Sequence, residues 1–173
     1  MPERAAKFSV NAPPHELWTF LRDFEALCTC IPGVERIRLV DPKTAELTVK
    51  EKVGVVPLIV NLTARIDSED PPCRLHATAS AEHLTMAIDI RLQAIGSTTE
   101  LDTVFNVKGE GPLKPIVDRL FERRATERTA QFADALEKRF GARPSQPPPP
   151  EAWLVRVWRR LQRLFSAASR PSS

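Results

Sequence analysis

Few side chains in this sequence are arranged for covalent chemistry. The three histidines, His15, His76 and His83, show no metal-ligand spacing. Cys28-Thr29-Cys30 is a C-x-C, but no second ligand pair completes a tetrahedral site, and it reads as structural. The chain has no tyrosine to act as an acid, no nucleophile motif, no phosphate-binding loop and no dinucleotide fingerprint. The expectation is therefore no catalytic residue and no metal. Two features stand against that background. Glu51 falls between Val49 and Val53, on the apolar register of a strand. Buried there, its carboxylate would have a raised pKa and could act as a base; at a strand end or bulge it would be exposed. Arg124, Arg128 and Gln131 fall within the apolar arc of a long helix. Polar groups on a buried stripe need partners or water. Either the arginines reach a pocket mouth and bind a ligand carbonyl or an acidic partner, or their stems snorkel to solvent.

The elements that must position these residues follow from periodicity. Residues 1–10 alternate, with Phe8 and Val10 on one face. Ala12-Pro13-Pro14 opens a helix whose apolar side is Leu17, Trp18, Phe20 and Leu21. A second short helix, residues 24–30, ends at Pro32-Gly33. Period-2 runs then dominate, and with residues 34–40 they predict about seven strands. Turn residues separate them at Asp41-Pro42, Asp70-Pro71-Pro72 and Gly96-Ser97, which implies an antiparallel meander with one covered face. The cover is a helix over residues 113–140, carrying Ile116, Val117, Leu120, Phe121, Ala125, Phe132, Leu136 and Phe140. The expected class is α+β, a helix-grip layout in which a curved antiparallel sheet wraps the long C-terminal helix. Such curvature leaves room for a cavity. Its expected lining is Phe20, Phe24, Ile31, Leu58, Val60, Leu62, Met86, Ile88, Ile90, Phe105 and Leu120, with Arg124 and Arg128 at the mouth. The competing reading of each apolar residue is ordinary core.

Beyond residue 140 the composition changes. Residues 141–150 hold five prolines and one glycine, and read as a linker whose Pro144 to Pro150 stretch reaches about 20 Å in polyproline II form. Residues 151–173 read as a basic amphipathic helix. At about 100° per residue, Trp153, Leu154, Val157, Trp158, Leu161, Leu164 and Phe165 share one arc. Arg156, Arg159, Arg160 and Arg163 share the opposite one. That pattern fits a helix lying in a headgroup plane, where four arginines contribute roughly 4 kcal/mol against an anionic leaflet. It is too short and too charged to span a bilayer. The alternatives are a protein groove of the kind that takes basic amphipathic helices, or packing on its own domain. The linker favours a target elsewhere.

Charge divides the same way. The tail has five arginines and one glutamate, so against a whole-chain charge of +3 the first 150 residues sit at about −1. The domain thus offers no basic field for nucleic acid. The polar, charged start of the chain does not read as a signal peptide, and three cysteines suit a reducing cytoplasm. The expected division is a hydrophobic-ligand domain over 1–140, a linker over 141–150 and a membrane-anchoring helix over 151–173.

Several motifs resemble a known family. Phe8-Ser9-Val10-Asn11-Ala12-Pro13, the run from Leu17 to Asp23 and, most specifically, Cys30-Ile31-Pro32-Gly33-Val34-Glu35 are similar to the carbon monoxide dehydrogenase G subunit (CoxG) family of the START-like (SRPBCC) superfamily. Lys52-Val53-Gly54 and Gly109-x-Gly111 also fit. The chain departs from the family at the long helix, where Arg119, Glu122, Arg123, Arg124, Glu127 and Arg128 replace Gly/Ala-rich turns. The resemblance implies a non-catalytic accessory protein of a molybdenum hydroxylase, located on the cytoplasmic face of the membrane. It implies no covalent cofactor, and a quinone in the cavity as the link to the respiratory chain. The alternatives are an adaptor without ligand, a carrier of lipid or another hydrophobic ligand, and a START-like cyclase or hydrolase. The last would require convergent polar groups in a pocket.

Deleting residues 151–173 should release the protein from anionic vesicles, and added salt should weaken binding of the full chain. Equal cosedimentation of truncated and full-length protein would exclude the membrane-hook reading.

Overall fold

The computed structural model describes residues 3–141. The linker and tail helix expected beyond them lie outside the described residues. The elements run β1 (Glu3–Val10), α1 (Pro14–Arg22), α2 (Phe24–Cys30), β2 (Val34–Asp41), β3 (Thr44–Val53), β4 (Val56–Asp70), β5 (Arg74–Ala81), β6 (Leu84–Ile95), β7 (Thr98–Gly109) and α3 (Lys114–Phe140). The strands form one antiparallel sheet in the order β1-β7-β6-β5-β4-β3-β2. Strands β2 to β7 are the expected meander. β1 pairs with β7, so the first and last strands meet and α1–α2 cross to the far edge.

Local chemistry accounts for the breaks. Pro14 supplies a preset φ at the first turn of α1, whose Leu17, Phe20 and Leu21 turn inward. Asp23 ends α1 and caps α2: its carboxylate accepts the Ala26 N–H at 3.0 Å. Register shifts between Val34 and Arg36 in β2, and between Ile66 and Ser68 in β4, insert bulges. Bulges bend strands and increase their twist, which lets a seven-stranded sheet curve around a helix.

Alternation sets one apolar face. Leu47 lies opposite Leu62, Val49 opposite Val60, Met86 opposite Val107 and Ile88 opposite Phe105. The other face carries ion pairs such as Arg38–Glu46 at 2.6 Å, Arg65–Asp67 at 2.7 Å and His76–Asp89 at 2.7 Å.

Helix α3 does not cover the apolar face evenly. Its main strand neighbours are β7 and β1, and its C-terminal half supplies the aromatic and core contacts. Phe132 sets its ring edge against Phe8 at 5.4 Å, and Phe140 does the same to Phe20 at 5.3 Å. Arg139 stacks over Phe20 at 4.7 Å. Leu136 enters a core of Phe8, Val10, Leu17, Leu21, Leu92 and Leu101. Two buried hydroxyls fasten this end: Thr99 donates to the Ala12 carbonyl at 2.7 Å, and Thr103 to that of Ala6 at 3.1 Å. Elsewhere on the same sheet face, Leu58, Val60, Met86, Ile88 and Phe105 are only half-buried, as are Ile116, Val117, Leu120 and Phe121 on the N-terminal half of α3. One end of the helix–sheet interface is sealed and the other is open.

This division has a measurable consequence. Leu101, fully buried, should cost about 2–5 kcal/mol of unfolding free energy when changed to alanine. Leu58→Ala should cost less than half as much, because Leu58 already keeps contact with water. Equal losses in urea unfolding would contradict the division.

Candidate functional site

The open end is bounded by β3, by the loop between α2 and β2, and by two arginines of α3. Gly33 of that loop has φ +89, and a Cβ there would stand 2.8 Å from the Lys50 carbonyl oxygen. Only glycine lets the loop approach β3 so closely. The Lys50 N–H then donates to the Gly33 carbonyl at 2.8 Å and pins the loop to the strand. Gly109 has a comparable role at the other end of the sheet. A Cβ there would stand 2.8 Å from Val117 and 2.9 Å from the Leu113 carbonyl, so its absence lets α3 start directly against β7.

The two arginines span from helix to sheet. Arg124 Nη2 donates to the Lys52 carbonyl at 2.7 Å, and Nη1 to Glu127 at 3.1 Å. Arg128 Nη2 donates to Glu51 Oε1 at 2.5 Å, and Nη1 to Gln131 at 3.3 Å. The Arg128 Nε is buried and has no hydrogen-bond partner among the described residues. Glu51 and Arg128 are each about one-third exposed at the side chain, so the pair contributes no more than about 1 kcal/mol to stability. Together with Gly33, Val34, Glu35, Lys50 and Lys52 these groups line a cleft of about 330 Å³. Four cations face two carboxylates around it, which makes the rim electropositive.

Both sequence readings of the arginines thus meet in one arrangement. The side chains leave the apolar stripe, yet they end on named acceptors at a rim rather than in bulk solvent. The carboxylate at Glu51 is neither a solitary buried base nor an exposed strand end; its partner is Arg128. An acid on the inward register of a strand and a base on the apolar arc of a helix were the two signals that could have paired them.

Of the expected lining, Leu58, Val60, Met86, Ile88, Ile90, Phe105 and Leu120 share the concave side and are half-buried. Leu62 is buried beside them. Phe20 stands apart, within the sealed core under Phe140 and Arg139. Phe24 is half-buried, and Ile31 is exposed at the loop. Gly33 and the Lys52 carbonyl belong to the site, although sequence reasoning assigned them no contact.

Chemically the arrangement suits holding more than reacting. Cys28 and Cys30 are free and buried, and burial pushes the Cys28 thiol up to about 11, away from thiolate chemistry. The described residues contain no group of three or more His, Cys, Asp or Glu placed to hold a metal ion. A larger groove of about 580 Å³, on strands β4 to β7, is lined mostly by charged residues, including Glu69, Arg74, Asp89 and Arg91.

Solved structures share this architecture. A conserved protein from Geobacillus kaustophilus superposes with a TM-score of 0.68 at 17% identity, over 80% of this chain and 95% of that one. A START superfamily protein from Mycobacterium smegmatis gives a TM-score of 0.64 at 18% identity, over 80% and 96%. A protein from Thermus thermophilus gives 0.62 at 16% identity, over 80% and 97%. At these identities the likeness is one of fold, and the fold is START-like. Among curated proteins, no sequence matches. The model of the carbon monoxide dehydrogenase G subunit family, by contrast, matches residues 6–141, which takes in β1 from its fourth residue, the Pro-Gly loop, the arginine rim and all of α3. By that match and its START-like fold, the chain belongs to the carbon monoxide dehydrogenase G subunit (CoxG) family.

Proposed function

We propose that this protein is a non-catalytic accessory subunit that carries a hydrophobic molecule, a respiratory quinone, for a molybdenum hydroxylase of the carbon monoxide dehydrogenase type. The observation that carries this reading is the half-covered apolar face between the sheet and the N-terminal half of α3. A molecule lying there would cover Leu58, Val60, Met86, Ile88 and Phe105, whose remaining water-exposed surface otherwise costs about 25 cal/mol per Å². The rim supplies the polar end of such a ligand with donors. A quinone carbonyl accepts hydrogen bonds and carries no charge, and the guanidinium groups of Arg124 and Arg128, which line the cleft, are N–H donors.

The family supports the partner, since it takes its name from a subunit of carbon monoxide dehydrogenase. An accessory chain that carried quinone between such an enzyme and the bilayer would link substrate oxidation to the respiratory chain. The basic amphipathic tail over 151–173 would keep the carrier at the cytoplasmic face of the membrane, near its apolar cargo.

Purified full-length protein, incubated with quinone-containing vesicles and re-isolated, should yield quinone on solvent extraction and mass spectrometry, close to one molecule per chain. An Ile88→Asp variant should yield at least tenfold less, since a carboxylate on that face must be desolvated to admit an apolar ligand. An extract with neither quinone nor lipid would remove the carrier role and leave recruitment of the enzyme alone. A folded Ile88→Asp variant that loads normally would place the ligand elsewhere.

A further inference from the structure

The β3–β4 hairpin ends in a tip that no part of the described chain covers. From Val53 to Val60 the sequence is Val-Gly-Val-Val-Pro-Leu-Ile-Val, eight residues without one polar side chain. The turn itself is Gly54-Val55, with Val53 paired to Val56. Gly54 has φ +65 and fits the first position of a two-residue hairpin turn. Turn positions usually carry Asn, Asp, Ser or Gly, because these satisfy the bare backbone and tolerate water. Here the second position is a β-branched aliphatic residue that is 99% exposed. Val56 is 62% exposed and Ile59 is 59% exposed. By register Val56 lies on the inner face of the hairpin and Ile59 on the outer face, so the tip is apolar on both sides. Folding alone gives no reason for such a tip, and an exposed cluster of this kind marks an interaction site.

The charges behind the tip identify what it meets. Lys52 lies opposite Pro57 and Lys50 opposite Ile59, both exposed. The turn places Gly54 and Val55 at one level, so at about 3.4 Å per residue Lys52 sits roughly 7 Å behind the tip along the strand. An aliphatic point with cations that far behind it matches a bilayer surface, where apolar groups sink about 5–10 Å into the headgroup/acyl boundary and cations stay among anionic headgroups. Among the described residues Lys52 has no ion-pair partner, whereas Lys50 pairs loosely with Glu35 at 3.4 Å. The tip has no aromatic residue and no side-chain hydrogen-bonding group, the features that anchor specific protein interfaces. The strand directly behind it contributes Lys50, Glu51 and Lys52 to the electropositive cleft. A tip seated in lipid would therefore bring the cleft to the membrane surface.

We propose that the Val53–Ile59 hairpin tip is a membrane-insertion point, distinct from the C-terminal tail, which docks the cleft of the domain onto an anionic bilayer. It rests on the membrane-side carrier reading given above and adds the orientation in which cargo would pass.

Full-length protein and its Val55→Asp/Val56→Asp variant, with folding checked by circular dichroism, should be compared for binding to phosphatidylglycerol/phosphatidylcholine vesicles. The variant should bind about tenfold more weakly or worse. In a Cys73→Ser background, Val55→Cys carrying an environment-sensitive fluorophore should brighten and shift to the blue on vesicles. Undiminished binding by the double variant, or an unchanged label on vesicle-bound protein, would overturn the tip proposal and leave the membrane reading standing. A label that responds to the partner enzyme and not to vesicles would also overturn it, by assigning the tip to a protein. If the full-length chain does not bind vesicles, the membrane reading falls and the tip proposal falls with it.

Discussion

Helix α3 is fastened to the sheet by its last two turns. Phe132 against Phe8, Leu136 within the core and Phe140 against Phe20 lock that end to β1 and α1. A helix of 27 residues is about 40 Å long, far more than this contact requires. Its start also closes on β7, where Gly109 admits Val117, and between these two contacts the helix's apolar residues stay half-buried. Two long arginine side chains, rather than close-packed apolar residues, bridge from its middle to β3. The half-buried apolar face and the arginine rim lie along the stretch of the helix that is not packed tightly on the sheet.

Clamping at one end also distributes stability. The sealed core can support the fold without help from the open end, because its buried hydroxyls and aromatic edges are satisfied locally. The open end is then free to exchange contents at small cost. The rim pair Arg128–Glu51 is part-exposed and weak, so parting it would cost little. A sealed apolar interior along the whole helix would be more stable and would have no room for a ligand.

Much of the scaffold was legible because its periodicities are clean. The alternation of β3, β4, β6 and β7 gave both the strands and the covered face, and Pro14, Asp23 and the Pro-Gly loop gave the breaks. The apolar register of β4 and β6 was legible for the same reason. Phe20 was not: a short helix has two inward aromatic directions, and only tertiary packing decides that Phe20 meets Phe140. The bulges in β2 and β4, the pairing of β1 with β7 and the contact of Gly33 with the Lys50 carbonyl depend on backbone geometry that no side-chain pattern records. Arg128 and Glu51 were each conspicuous, but 77 residues separate them, and only the sheet register brings them together. The hairpin tip over residues 54–57 was assigned to no element, and its exposure is a property of the fold.

The account stands on the open end being a ligand site rather than loosely packed core. Methyl-labelled protein titrated with a short-chain quinone and followed by nuclear magnetic resonance tests this directly. Signals from Leu58, Val60, Met86, Ile88 and Ile90 should shift in a saturable way, while those of Leu17, Leu101 and Leu136 stay fixed. Saturating quinone that leaves the first group unmoved, or that perturbs the sealed core equally, would contradict it.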